Sequence, residues 1–191
     1  MKDNQAILKH QTVWDHLFFY QKAKSLYSIT FHFAHTYLSK GDRTIDQMIQ
    51  AARSGKQNIV EGSADGVHSL EMEMKLLNVA RASIKELRED YEDYLLVRHL
   101  TLWNREHPRF NRLLRFCREH NQPDEFEPLL ASLSAEEEAN LAVTLCYLID
   151  RMMFSYYEKL MREFLSGGGI RERMTAARIK ERNRPRQDGI K

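Results

Sequence analysis

The segment that decides the fold is SLEMEMKLLNVARASIKELREDYEDYLLVR, residues 69–98. Its apolar side chains recur every seven residues, with further apolar residues about halfway between them, which is the spacing of one stripe on an amphipathic helix. The stripe consists of Leu70, Met74, Leu77, Ala80, Ile84, Leu87, Tyr91 and Tyr94. Ser69 stands where its hydroxyl can cap the free backbone N–H groups of the first turn. The pattern therefore predicts a helix about 45 Å long.

A second helix is predicted immediately before this segment, from Thr44 to Gly62. Thr44 and Gln47 have the spacing of a capping box, which satisfies two backbone donors at a helix start. Small residues cluster at 51–55, so a neighbouring helix can approach closely there, and this approach should offset the cost of Gly55 in a helix. We expect residues 62–66 to form a flexible turn.

Two more long helices are predicted, one at each end of the chain. The first runs from Trp14 to Ser39, with Gly41 as its C′ residue. It carries two adjacent apolar stripes, more than one core requires. The first stripe is Phe19, Ala23, Leu26, Thr30, Phe33 and Tyr37, and the second is Tyr20, Tyr27, Phe31, Ala34 and Leu38. The last helix begins at Ser134, where Glu137 completes a capping box, and ends at the glycines 167–169.

The segment 99–133 between the last two long helices is less regular. A short amphipathic helix is predicted between Arg109 and His120, and Pro123 and Pro128 are expected to hold the following chain extended. We therefore predict an all-α fold, an up-down-up-down four-helix bundle over residues 1–169 with an irregular insertion at 99–133.

Composition and charge narrow the class of protein. Only 8 glycines and 4 prolines occur among 191 residues, which is too few turn formers for a sandwich or barrel of many short strands. Residues 170–191 hold eight basic and three acidic residues, so this tail carries +5 and leaves −3 for residues 1–169, because the whole chain carries +2. A basic tail on a mildly acidic body suggests a contact arm, and a solvated terminus is the alternative.

The expected compartment is the cytoplasm. Cys117 and Cys146 have no metal-type or redox-type spacing, so two free thiols in a reducing environment are expected. Charged residues interrupt the N-terminal sequence, so no signal peptide is expected, and no apolar run of about 18 residues predicts a membrane span.

Residues 41–95 resemble the bacterial four-helix-bundle family named for intervening sequences in 23S ribosomal RNA genes. The resemblance rests on an N-I-x-E-G turn, an upstream Q-x-x-x-A-A and a downstream A-x-x-S-x-x-E-L. The matching residues are Asn58, Ile59, Glu61, Gly62, Gln47, Ala51, Ala52, Ala80, Ser83, Glu86 and Leu87. The insertion and the tail are similar to the longer subgroup with a C-terminal suffix.

This resemblance implies a homopentamer and relatives that serve as accessory proteins of diversity-generating retroelements. Such relatives engage nucleic acid and a reverse transcriptase, and none is an established enzyme. For Asn58, Glu61 and Gly62 we expect a structural role in a turn, which hydrogen bonds of Asn58 and Glu61 lock, and a ligand role of Glu61 is the minority alternative.

We find no catalytic or metal-binding constellation in the sequence. No Glu-x-x-His pair exists for a di-metal bundle, and the P-loop pattern fails around Lys56. Cys117 and His120, with His107 nearby, offer at most three loose zinc ligands. His32 and His35 lie one helical turn apart without an expected acidic partner, so packing or surface placement is favoured. We expect no enzyme activity, no cofactor and no metal.

Two basic features are candidates for binding a polyanion such as RNA or DNA. The candidate residues are Arg109, Arg112, Arg115 and Arg118 of the short helix and Arg171, Arg173, Arg178, Lys180 and Arg182 of the tail. The alternative for the short helix is a solvated face paired with Glu136, Glu137 and Glu138. The sequence thus predicts a non-enzymatic, oligomeric scaffold that binds nucleic acid or a nucleic-acid-handling partner. A protein–protein adaptor is the alternative.

Overall fold

The computed structural model describes residues 14–66 and 69–183, and this part of the chain is helical with no strand. A short 3-10 turn, Trp14–His16, precedes the α-helices. The α-helices are α1 (Phe18–Tyr37), α2 (Arg43–Gly66), α3 (Leu70–Val97), α4 (Phe110–Glu119), α5 (Pro123–Leu130), α6 (Ala135–Gly167) and α7 (Ile170–Arg182). The predicted all-α class is confirmed, and all four long helices are present.

The four long helices share one core. Helix α1 packs against α2 and α6, and α3 packs against the same two helices. Both predicted stripes that define the core are buried, that of α3 throughout and the first stripe of α1 up to Phe33. At the centre, the Phe33 ring packs in T-shaped contacts with the rings of Tyr91 and Tyr94, with ring centroids 4.9 and 4.8 Å apart. The Tyr91 hydroxyl donates to Thr30 Oγ1 at 3.0 Å, so this fully buried phenol has a partner.

The predicted turn at residues 62–66 is wrong, because α2 continues as a helix to Gly66. Gly62 lies against α3, where an added Cβ would come within 3.3 Å of Leu76 Cβ and 3.4 Å of the Glu73 carbonyl oxygen. The glycine therefore serves close helix packing and not a turn. The predicted start of this helix is also shifted, because α2 begins at Arg43. The backbone N–H of Thr44 donates to the Asp42 carboxylate at 2.9 Å, so the capping side chain is that of Asp42 and not that of Thr44.

The predicted C′ role of Gly41 is wrong as well. Helix α1 ends at Tyr37, and Gly41 lies four residues later in a turn closed by the Asp42 N–H and the Ser39 carbonyl. Gly41 has a φ of +90°, so the turn does require a glycine-type conformation. Gly41 therefore marks the turn between α1 and α2 but not the residue at which α1 ends.

The insertion folds onto the body as two helices. The predicted short helix is α4, but the expectation that Pro123 and Pro128 keep the chain extended is wrong, because both lie in α5. Pro123 occupies the first turn, where no backbone N–H is needed. The Glu125 carboxylate accepts from the backbone N–H groups of Asn121 and Gln122, each at 2.7 Å, and so closes the helix start.

The two apolar stripes of α1 are mostly covered within one chain. Tyr20, Tyr27 and Leu38 of the second stripe are half-buried, and Ala34 is buried. The exception is Phe31, which is 49% exposed. A third side of α1 holds the insertion, since α5 packs along it.

The capping box at the start of α6 is confirmed, and a further helix follows α6. The Glu137 N–H donates to Ser134 Oγ, and the Ser134 N–H donates to Glu137 Oε2. After the turn at Gly168, the first part of the basic tail forms α7, whose described side chains are largely exposed. No helix in the described ranges is both long enough and apolar enough to span a lipid bilayer.

Candidate nucleic-acid interface

Helix α4 presents the basic face that its spacing predicts. Cys117 is fully buried on one side, whereas Arg112, Arg115 and Arg118 are exposed on the other. Within the described part of the chain, none of these three guanidinium groups forms an ion pair with a carboxylate. Their charges are therefore available to an anionic partner.

Arg109 differs from the other three arginines because it has an acidic partner. It precedes α4, and its Nη1 lies 2.6 Å from Glu137 Oε1 at the start of α6. Its guanidinium also lies 5.7 Å from the centroid of the Trp103 ring. The predicted pairing of this face with the glutamates of α6 thus holds for Arg109 alone among the described ion pairs.

The other two glutamates in this turn have different partners. Glu136 accepts from the backbone N–H of Thr101 and from Trp103 Nε1, and these hydrogen bonds lower the pKa of its carboxyl. Glu138 is fully buried, and His32 Nδ1 lies 2.9 Å from its Oε1. The prediction that His32 has no acidic partner in reach is therefore wrong. Sequence could not show this contact because 106 residues separate the pair.

A buried lysine that the sequence analysis missed anchors the C-terminal end of α4. Lys22 of α1 is 3% exposed, and its Nζ donates to the carbonyl oxygens of Cys117 and His120. A cation at the free carbonyls of a helix end is favourable, because the helix dipole is negative there. Ser25 reinforces the contact by donating to the Asn121 carbonyl at 2.6 Å. Burial lowers the pKa of Lys22.

The thiol and imidazole groups proposed as loose zinc ligands do not come together. Cys117 is buried, and burial raises the pKa of its thiol to about 12. His120 Nδ1 bonds the Phe116 carbonyl, and His107 stacks on Trp103 with ring centroids 4.4 Å apart. Residues 14–66 and 69–183 contain no group of three or more His, Cys, Asp or Glu side chains arranged to hold a metal ion. Cys117 and Cys146 are both free thiols.

The residues with a predicted turn role lie inside α2. Asn58 Nδ2 donates to the Ser54 carbonyl at 2.9 Å, and Glu61 is exposed more than a turn before the helix ends. Gly62 packs on α3. Their predicted turn-locking role is wrong because no turn occurs there.

The basic residues of the tail are only partly described. Arg178, Lys180 and Arg182 are exposed on α7, and the side chains of Arg171 and Arg173 lie outside the described residues. Among the described helices, none packs extensively against α7.

A groove of about 640 Å³ lies between the first turn of α1, the last turn of α4 and the middle of α6. Its lining combines an apolar floor with basic groups. The lining residues are His16, Leu17, Phe18, Phe19, Lys22, Arg118, Asn121, Leu148, Arg151, Met152 and Ser155. None of these carries a carboxylate. Comparison of the chain with protein-family models, curated proteins and solved structures finds no match.

Proposed function

We propose that this chain is a non-enzymatic, oligomeric helix-bundle scaffold that binds nucleic acid through the basic face of α4. The observation that carries the proposal is a contrast among neighbouring arginines. Arg112, Arg115 and Arg118 are exposed and form no ion pair with any described residue, whereas Arg109 is paired with Glu137. Exposed guanidinium groups in a row bind phosphates and release counterions, which gives affinity that falls with salt.

The proposed architecture is an up-down-up-down bundle of α1, α2, α3 and α6. The packing of α1 and α3 against the same two helices supports this arrangement. Two residues of the family-like motif, Gly62 and Ser83, lie at the contact between α2 and α3. Gly62 packs against α3, and Ser83 Oγ lies 2.9 Å from Ser54 Oγ of α2.

The proposed oligomer contact is an aromatic face along α3 and α6. Tyr147 and Phe154 stand seven residues apart on α6 and are 54% and 45% exposed. Arg88 and Arg81 of α3 lie over their rings, at 4.7 and 5.0 Å from the ring centroids. Aromatic residues and arginine are enriched at protein interfaces relative to the rest of the surface. A pentamer is the subunit number implied by the family resemblance.

Light scattering of the full chain tests the oligomer. We expect a mass several times the 22.6 kDa of one chain. Replacing both aromatic groups, Tyr147→Lys with Phe154→Lys, should lower that mass, because two cations would then have to be buried between copies. A wild-type particle of one chain's mass would contradict the oligomer.

Filter binding with labelled RNA and DNA tests the nucleic-acid partner. Arg115→Gln should weaken binding and reduce the slope of log affinity against log salt by about one. Arg109→Gln is the matched control and should change both quantities less, because Glu137 already neutralises that charge. Binding that is absent, or insensitive to salt, would contradict the proposal.

A protein–protein adaptor is the second candidate function. Exposed apolar side chains at the end of α3 favour it, since Leu96 and Val97 are 71% and 66% exposed. A reverse transcriptase is the protein partner that the family resemblance implies. A pull-down with and without nuclease separates the two functions, because a partner held through nucleic acid is released by nuclease and a directly bound one is retained.

A further inference from the structure

We propose that the groove between α1, α4 and α6 binds an unpaired nucleotide of a single strand, with the base against Phe18 and the flanking phosphates on Arg118 and Arg151. This inference rests on the proposed function and deepens it, because it assigns a substrate class to the nucleic-acid interface. It distinguishes a single-stranded ligand from a duplex.

The charge of the groove selects an anion. Lys22, Arg118 and Arg151 line it, and none of its described lining residues is acidic. Lys22 is 3% exposed and is fixed by two carbonyl oxygens, so its charge lies at a defined place beneath the surface. Within the described residues, neither Arg118 nor Arg151 forms an ion pair, so both guanidinium groups can meet phosphates.

The apolar part of the groove selects a flat, hydrophobic group. Phe18 is 59% exposed although it lies beside the buried Phe19, and Leu148 and Met152 of α6 form the adjoining wall. An exposed aromatic ring in a groove that arginines also line is the kind of site on which unpaired bases stack, since every base has a π-face. A base inside a duplex cannot offer that face.

The groove is continuous with the basic face of α4. Arg118 belongs to both, as the last arginine of the exposed row that begins with Arg112. A strand whose backbone follows α4 would therefore reach the groove at the C-terminal end of the helix. The volume of about 640 Å³ is within the range of sites for ligands of nucleotide size.

The test uses the full chain, a labelled oligothymidylate and a matched duplex. Phe18→Leu keeps an apolar side chain but removes the aromatic face, and we expect about tenfold weaker binding of the single strand with unchanged binding of the duplex. Phe31→Leu is the matched control, since Phe31 is also an exposed phenylalanine of α1 but does not line the groove.

The phosphate contacts are tested by the double variant Arg118→Gln with Arg151→Gln. This variant should lower the slope of log affinity against log salt by about two, and Arg53→Gln on exposed α2 surface should not.

The outcomes separate the inference from the proposed function. Equal affinity of Phe18→Leu and Phe31→Leu for the single strand would overturn the groove assignment while leaving binding through α4 intact. Thymidine monophosphate competing as well as the strand would overturn it in favour of a free nucleotide. Salt-independent or absent binding of both strand and duplex would overturn the proposed function itself.

Discussion

Gly55 of α2 faces Ile84 of α3 so closely that a Cβ on the glycine would lie 2.7 Å from Ile84 Cδ1 and 3.0 Å from Ile84 Cγ1. Ile84 is 1% exposed and so has little space to move. The absent side chain of Gly55 therefore sets the distance between the two helices that carry the family-like motif. This contact offsets the cost of about 1 kcal/mol for a glycine inside a helix.

Gly55→Ala should destabilise the protein by about 1 kcal/mol, because overpacking costs about 1–3 kcal/mol and the better helix propensity returns only part of it. Ile84→Val removes the Cδ1 atom nearest to the new methyl group. In that background Gly55→Ala should be less destabilising, because only the 3.0 Å contact with a γ carbon remains. Urea unfolding of the two single variants and the double variant measures the coupling. Additive effects would show that the two residues do not limit helix approach.

Lys22→Met should cost about 2 kcal/mol, because the carbonyl oxygens of Cys117 and His120 lose a charged donor in a buried place. The methionine keeps most of the apolar stem. Hydrogen exchange of the Lys22→Met variant should be accelerated in α4 more than in α3, each compared with the wild type. Lys24→Met, an exposed position on the same helix, is the control and should change stability by less than about 0.5 kcal/mol. Equal effects of the two substitutions would argue against the anchoring role.

Much of the fold could be predicted from the sequence because its signals are local. The stripe of Leu70, Leu77, Ile84 and Tyr91 repeats within one helix, and burial of all four follows from that periodicity alone. The capping box of Ser134 and Glu137 likewise needs only four consecutive residues.

The errors and omissions come from contacts between distant segments. Gly62 does not form the predicted turn, because a glycine is required there by the close approach of α3. Lys22 was missed because 95 residues separate it from Cys117, and a lysine beside an apolar stripe normally extends into solvent. The place of Arg151 in the groove could not be predicted, because nothing in the sequence places the middle of α6 beside α4.

Asp90 provides a prediction about pH. Partial burial, with repulsion from Asp93, Glu86 and Glu89, raises its pKa to about 6. A carboxyl whose pKa is higher in the folded state favours folding in acid, so the contribution of Asp90 to stability should fall as the pH rises from about 4 to about 6.

Asp90→Asn should remove this fall and stabilise the protein by about 1 kcal/mol at pH 8. The value is well below the roughly 3 kcal/mol that the full change in pKa would give, because Asp90 is only partly buried. Thermal unfolding at several pH values measures it. Glu158→Gln on exposed α6 surface is the control for loss of one negative charge. A wild-type protein whose stability rises over this interval relative to Asp90→Asn would refute the assignment.

Glu138 provides a second prediction about pH, with a different cause. Its side chain is fully buried, and burial raises its pKa despite the opposing effect of His32. The ionised carboxylate is therefore a net cost to folding. This cost is absent below the pKa of an ordinary glutamate and grows until the pH has risen through the higher pKa that Glu138 has in the folded protein. Glu138→Gln should match the wild type in acid and become progressively more stable than it towards neutral pH, because the amide keeps a hydrogen bond to His32 without a charge. Glu127→Gln, at an exposed position on α5, should track the wild type throughout. Urea unfolding midpoints across this pH range measure the difference in stability. If the wild type became more stable relative to Glu138→Gln as the pH rises, the ion pair with His32 would more than offset the desolvation of Glu138.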